Sequence, residues 1–338
     1  LVLTAACGSS GSGASSGGGG STNPAVSATP ATLSKTIPAG TVLRVGDQLD
    51  SLKNTLHEAG QDTNFPYKVE YSAFVGGPPM LQAFQANAID TGFIGSTPLI
   101  FAQAAHQSLV AVAGWVNPGS AYQLVVPSGK SSVTGWASLK GKKLAFQQGT
   151  ALEAAVLTAL NGVGLKLSDV QTVNVPTTQV SSTLQGGAAD AGILIEPLTS
   201  VFLAANPSAK VVATSAALTD RSSFIIASNK ALNDSGKSAA LADYISRLAK
   251  SYVYLKSHQD LVVKTTYIGQ YHLSPSRAAA VAKEVGVPSF VPIPGDIAPA
   301  QQKLADLFQE NGEIPSKVDA AAEFDSRFNE IIQKAQGQ

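Results

Sequence analysis

The chain has 338 residues, 44% hydrophobic and 14% charged, which is apolar material for a sizeable core and length for two domains. Lys plus Arg and Asp plus Glu each number 23, so the formal net charge is zero, and no basic footprint for nucleic acid is present. No uninterrupted apolar run approaches the roughly 18 to 20 residues of a membrane span. Cys7 is the one cysteine, which leaves no pair for an internal disulfide or a cysteine metal site. His57, His106, His258 and His272 are scattered without metal-ligand or catalytic spacing, so no cofactor or metal is expected.

In chain order, Leu1-Val2-Leu3-Thr4-Ala5-Ala6-Cys7-Gly8 sets small residues before a cysteine at the end of a short apolar run. It resembles the tail of a bacterial lipoprotein signal peptide, which implies lipid modification of Cys7 and an extracytoplasmic, membrane-anchored protein. Residues 8–40 are rich in Gly, Ser, Thr, Ala and Pro; they have too little apolar surface to offset their chain entropy and read as a disordered tether. Gly13-Ala14-Ser15-Ser16-Gly17 fits the G-x-S-x-G hydrolase pattern but lacks the strand and helix that a nucleophile elbow needs.

Leu43 to Gly46 predicts a strand, Leu52 and Leu56 a helix, and the alternation from Tyr67 to Phe74 a second strand. Next come a Gly76-Gly77-Pro78 loop, a short helix, a turn at Asp90, a buried strand, and a Gly95-Ser96-Thr97 loop opening a helix at Pro98. Such loops leave the first N–H groups of a helix free to face a ligand, and the helix dipole favours negative charge there. Strands are predicted over 109–115 and 121–126, and the alternation implies a parallel, doubly wound sheet.

The unit around Asp90 recurs about a hundred residues later: Phe84-Gln85, Ala88, Asp90 and Gly92 return as Leu184-Gln185, Ala188, Asp190 and Gly192. One unit used twice predicts two similar lobes with a cleft between them. The second contains a strand over 144–146 leading into Gln147-Gln148-Gly149-Thr150, then a helix with Leu152, Val156 and Leu160 on one face. Strands follow at 170–175, 191–195, 210–213 and 222–227; beyond them the chain is mainly helical, with an apolar stripe at Leu241, Tyr244, Ile245, Leu248, Tyr252 and Leu255.

Several of these segments together resemble the aliphatic-sulfonate, nitrate and taurine group of ABC-transporter substrate-binding proteins. They are Gly76-Gly77-Pro78, Ile89-Asp90-Thr91-Gly92-Phe93-Ile94-Gly95-Ser96-Thr97-Pro98, Leu139-Lys140-Gly141-Lys142-Lys143, Gln147-Gln148-Gly149-Thr150 and Asp190-Ala191-Gly192-Ile193-Leu194-Ile195-Glu196-Pro197. The resemblance spans roughly residues 41 to 315. It implies an α/β, two-lobed periplasmic-binding-protein-like fold of type II, each lobe a doubly wound mixed sheet, joined by a two-strand hinge. Lobe 1 would be 41–122 plus 222–338, and lobe 2 would be 123–221.

The family captures a small organosulfonate or related organic anion by hinge closure and delivers it to ABC permease and ATPase subunits, without catalysis and as a monomer. Carried over, ligand contacts would come from Gln48, Ser51, Gly76, Gly77, Pro78, Gly95, Ser96, Thr97, Gln148, Gly149, Thr150, Glu196, Arg221 and Ser222. Trp115, at the predicted carboxyl end of a strand, is placed at the mouth or in a packed core edge. Helix capping alone would equally account for Ser51, Ser96, Thr97 and Thr150. The chain departs from the family pattern at Asp47 and at Ala151-Leu152-Glu153. Asp47 either caps a helix or points to solvent; otherwise the ligand is zwitterionic or less acidic than a plain alkanesulfonate. Two alternatives stand beside the importer: a binding or sensing protein for nitrate, taurine, an aromatic carboxylate or a neutral organosulfur compound, and a sulfinate-cleaving enzyme of the same fold.

Overall fold

The structure, a computed structural model, describes residues 33, 36–119, 122–130, 132–215 and 222–338. Cys7, Arg221 and most of the expected tether lie outside the described residues. Among the described residues, eleven strands run in order as β1 Val42–Gln48, β2 Lys68–Phe74, β3 Thr91–Gly95, β4 Leu109–Val116, β5 Tyr122–Val126, β6 Lys143–Phe146, β7 Gln171–Asn174, β8 Ala191–Leu194, β9 Lys210–Ser215, β10 Ser222–Ser228 and β11 Ser289–Val291. The first six helices are α1 Ser51–Glu58, α2 Gly77–Gln85, α3 Ser96–Ala104, α4 Ala151–Gly162, α5 Val180–Gln185 and α6 Leu198–Ala205. They are followed by α7 Asn229–Asn233, α8 Ser235–Ser257, α9 Gln259–Val262, α10 Pro275–Val285, α11 Ile297–Glu310 and α12 Asn329–Ala335, with a π-helix at Val263–Gln270.

The strands form two sheets, ordered β11-β4-β10-β3-β1-β2 and β7-β6-β8-β5-β9. Each contains a parallel trio, β2-β1-β3 in the first and β7-β6-β8 in the second. Next to each trio lies an antiparallel strand, β10 beside β3 and β5 beside β8. The sheets are therefore mixed, as the family resemblance implies, and not parallel as strand–helix alternation alone suggests. The reason is the path of the chain: it passes from the first sheet to the second between β4 and β5 and returns between β9 and β10. Each crossing feeds a strand into its sheet from the opposite direction.

Both faces of each sheet are covered. On the first, α1, α8 and α12 bury Leu52, Leu56, Tyr244, Leu248 and Ile332 on one side, and α2, α3 and α11 bury Met80, Phe84, Leu99 and Ile297 on the other. The expected stripe of α8 is buried throughout, from Leu241 to Leu255. Leu33 and Ile37, both within the stretch 8–40 expected to be a tether, pack against the α1–α8 core. The three-residue edge strand β11 gives too short a signal to be read from the sequence.

The hundred-residue echo is a repeated backbone lock. Asp90 N–H donates to Arg44 O at 2.8 Å while its Oδ2 accepts from Arg44 N–H at 3.0 Å. Asp190 N–H donates to Lys143 O at 2.8 Å, and its Oδ2 accepts from Lys143 N–H at 2.9 Å. Each aspartate thereby ties the start of one strand of a parallel pair to the turn before the other. Gly92 and Gly192 follow at equivalent places, where an added Cβ would meet Met80 Sδ at 2.7 Å and Val180 Cγ1 at 2.7 Å. Both aspartates are structural, as their place before a strand suggests.

Candidate ligand cleft between the two sheets

The parallel strands of both sheets end at loops that carry most of the expected site. At the end of β1, Leu49 and Asp50 adopt positive φ (55° and 56°) and turn the chain into α1. Asp47, fully buried, folds back so that Oδ1 accepts from Leu52 N–H at 2.9 Å and Oδ2 from Lys53 N–H at 3.0 Å. Asp47 therefore caps α1, and Ser51 does not. Burial raises the Asp47 pKa, against the opposing pull of those N–H groups. Gln48 Nε2 donates to Phe93 O at 2.7 Å, joining the ends of β1 and β3.

The Gly76 loop opens α2, but Pro78 and Pro79 lack N–H groups, so this start offers fewer donors than its loop suggests. Gly77 is a packing position: a Cβ there would lie 2.4 Å from Pro98 Cγ in α3. Helix α3 begins at Ser96, two residues before the expected Pro98. Ser96 Oγ donates to Ser222 O at 2.9 Å, bringing two expected site residues together, and Gln301 Nε2 of α11 donates to Ser96 O at 3.0 Å. Thr97 is fully buried, and its Oγ1 has no hydrogen-bond partner. Gly95 is open, its nearest neighbour for an added Cβ being Pro98 Cδ at 3.9 Å.

From the second sheet, the loop after β6 reaches across to the first. Gln147 Nε2 donates to Val75 O at 3.3 Å, and its Oε1 accepts from Thr177 N–H at 3.0 Å and Thr177 Oγ1 at 2.9 Å. A Cβ on Gly149 would sit 3.1 Å from Pro78 Cγ. The two predicted half-sites thus face each other in contact. Thr150 caps α4, accepting from Leu152 N–H at 3.3 Å. Glu153, 1% exposed, accepts from Gly149 N–H at 2.8 Å and from Gln148 Nε2 at 3.4 Å. Burial pushes its carboxyl up to about 6, and the Gly149 N–H pulls the other way.

Glu196 lies between β8 and α6 with its carboxylate committed. Oε1 accepts from Arg277 Nη2 at 2.7 Å and Oε2 from Ser200 Oγ at 2.5 Å, while Arg277 Nε donates to Ser200 Oγ at 2.6 Å. Trp115 is 4% exposed and packs against Phe93, Tyr252 and Phe290 at centroid distances of 5.6, 5.9 and 5.6 Å. It belongs to the core and not to the mouth, because these three rings and the rest of the α1–α8 core cover it.

Three further groups stand out that the sequence did not single out. Thr199 Oγ1 in the first turn of α6, Gln123 Oε1 at the start of β5 and Ser215 Oγ at the end of β9 are buried without partners, like Thr97. An unmet buried polar group costs about 1–3 kcal/mol, which a ligand could recover. A threonine at a helix start reads as a cap in sequence, which hides this.

Two sheets with facing helix starts, linked by two chain crossings, define the two-lobed periplasmic-binding-protein fold. The chain belongs to the NMT1/THI5-like family, whose model matches residues 68–261. It is 30% identical over 285 residues, 82% of this chain and 86% of the relative, to a protein of Escherichia coli (strain K12) named as an aliphatic sulfonates-binding protein. Among solved structures, the alkanesulfonate-binding protein SsuA of Xanthomonas axonopodis pv. citri bound to MOPS aligns with TM-score 0.75 at 28% identity, covering 86% of this chain and 99% of that one. The periplasmic aliphatic sulphonate binding protein SsuA of Escherichia coli aligns with TM-score 0.69 at 28% identity, covering 85% and 92%.

Proposed function

We propose that this protein is the extracytoplasmic solute-binding component of an ABC importer. It captures a small organosulfonate or related organic anion between its lobes and passes it to a permease driven by ATPase subunits. The observation that carries this reading is the start of α3, where Gly95 is open to approach and the buried Thr97 hydroxyl lacks a partner. Helix starts of this kind hold anionic groups through backbone N–H groups and the helix dipole. The homologous sulfonate-binding proteins support the class of ligand. In this reading lobe 1 comprises 41–122 plus 222–338 and lobe 2 comprises 123–221, the protein acts as a monomer, and a lipid on Cys7 holds it at the membrane. Loss of lipid labelling in Cys7→Ser checks the anchor; persistent labelling would refute it.

An enzymatic reading has less support. A DszB structure in complex with biphenyl-2-sulfinic acid shares the fold at TM-score 0.58 and 14% identity. The one cysteine of the sequence is Cys7, so residues 36–338 contain no cysteine to serve as a nucleophile.

Isothermal titration with sulfonates, taurine, nitrate, sulfate and aromatic carboxylates tests the ligand class. Micromolar binding of a sulfonate, worth about 8 kcal/mol, is expected. No heat with any sulfonate would remove that class. Gly95→Val should weaken binding at least roughly tenfold (about 1.4 kcal/mol) without lowering Tm. Unchanged affinity in that variant would overturn the site. Gly77 is unsuitable for this purpose, because its Cβ would force α2 from Pro98 and confound binding with folding.

A further inference from the structure

A cavity of about 370 Å³ opens beside the candidate site, and much of its wall comes from the C-terminal half of the chain. Gln48, Ser51 and Glu196 line it, which makes it continuous with the residues expected to bind ligand. Phe93, two residues before Gly95 on β3, lines it as well. The remaining wall includes Tyr252 of α8, Tyr267 of the π-helix and Tyr271 just beyond it. We propose that this compartment receives the organic body of the ligand and that this body carries an aromatic ring. The proposal rests on the sulfonate reading for the head group alone.

Size is the first argument. A cavity of about 150 Å³ accommodates a benzene ring, so this space takes a ring with substituents or two fused rings, and a two-carbon body would leave most of it unfilled. The nature of the wall is the second. Phe93 and Tyr252 are both backed by Trp115, and Tyr252 also packs against Phe290 at 5.6 Å, so these rings are held as fixed surfaces. Fixed rings favour a ligand ring in offset or edge-to-face contact over a flexible chain, which must be ordered on binding.

Charge orients the ligand. Glu58 lines the compartment, with its Oε1 accepting from Thr265 and Thr266, whereas Glu196, which also lines it, has its charge met by Arg277. A sulfonate beside the Glu58 carboxylate would be repelled, so the anionic head belongs at the Gly95-Ser96-Thr97 end with the ring in the compartment. The π-helix completes the wall by placing Thr266, Tyr267 and Gln270 along it. Such helices occur frequently at functional sites.

Titration calorimetry with ethanesulfonate, hexanesulfonate, benzenesulfonate and naphthalene-2-sulfonate, alongside benzoate and 2-naphthoate, tests the proposal on the full-length protein. Benzenesulfonate should bind about two- to tenfold tighter than hexanesulfonate, which has the same carbon count, and naphthalene-2-sulfonate tighter still. Equal or weaker binding of the aryl sulfonates would overturn the ring. If naphthoate binds tighter than benzoate while no sulfonate binds, the compartment stands and the sulfonate reading falls; if none of the six binds, both fall. Thr266→Trp, which fills the compartment from the π-helix, should shrink the advantage of naphthalene-2-sulfonate over ethanesulfonate. An undiminished advantage in a variant with unchanged Tm would place ring recognition elsewhere and refute the assignment.

Discussion

Asp47 and Glu153 illustrate how single side chains set the character of the cleft. Each is a buried carboxylate at a helix start, and each takes N–H groups that an incoming anion could otherwise use. Asp47 is an internal cap, so it imposes no positive charge on the ligand. Glu153 has a stability signature. Its folded-state pKa of about 6 lies above the ordinary 4.5, so the folded protein holds this proton more tightly than the unfolded chain does. The associated stability is full below about 4.5, declines as the pH rises to about 6, and stays lower by about 2 kcal/mol above that. Glu153→Gln keeps an acceptor for Gly149 and removes the charge. Its Tm relative to wild type should therefore climb between pH 4.5 and pH 7, followed by calorimetric scans; a difference independent of pH would contradict this account.

At the scale of elements, the repeated aspartate lock makes unequal contributions in the two sheets. Asp90 also accepts from Arg44 Nη2 at 2.6 Å and Lys237 Nζ at 2.7 Å, and its side chain is 4% exposed. Burial raises its pKa, but the two cations more than offset that and hold the carboxyl below its usual range. Asp190 has Lys130 Nζ at 2.7 Å and is 23% exposed. Asp90→Ala should cost about 3–5 kcal/mol, leaving two cations unpaired, and Asp190→Ala about 1–2 kcal/mol. Thermal unfolding of the two variants compares them directly, and equal losses would show that the shared backbone lock matters more than the cations. The lock was legible in the sequence because identical residues recur at one spacing. The antiparallel placement of β5 and β10 was legible only through the family resemblance, since strand direction depends on where the chain crosses and leaves no local mark. The wall formed by residues 252–288 was equally hidden, because tyrosines at helical spacing read as core whether or not one edge faces a cavity.

For the whole molecule, the contacts between the two halves differ in kind. One is an apolar cluster in which Ile100 of α3, Leu157 of α4 and Phe308 of α11 are buried together. The others are polar: Gln147 with Val75, and Glu196 with Arg277, whose side chain is 43% exposed. Polar contacts near solvent exchange readily for water, whereas separating the apolar cluster exposes hydrophobic surface. Separation of the two halves is therefore expected at the polar contacts before the α3–α4–α11 flank. Arg277→Ala leaves Glu196 with Ser200 alone and should populate open forms. The expected outcome is a larger radius of gyration without ligand and about three- to tenfold weaker apparent affinity, as the binding-competent fraction falls. Unchanged scattering and affinity would remove Glu196–Arg277 as a closing contact.

The position of β10 between β3 and β4 also governs the order in which the protein can assemble. Strands β5 to β9 form a sheet from one uninterrupted stretch, complete once Ser215 has been synthesised. The first sheet is split into β3-β1-β2 and β4 until Ser222–Ser228 arrives, pairing Ala227 with Thr91 at a sequence separation of 136 (227 − 91). Such distant pairing is slow because loop closure precedes any reward. A nascent chain thus carries a finished second half while the first, though made earlier, still waits with two open strand edges.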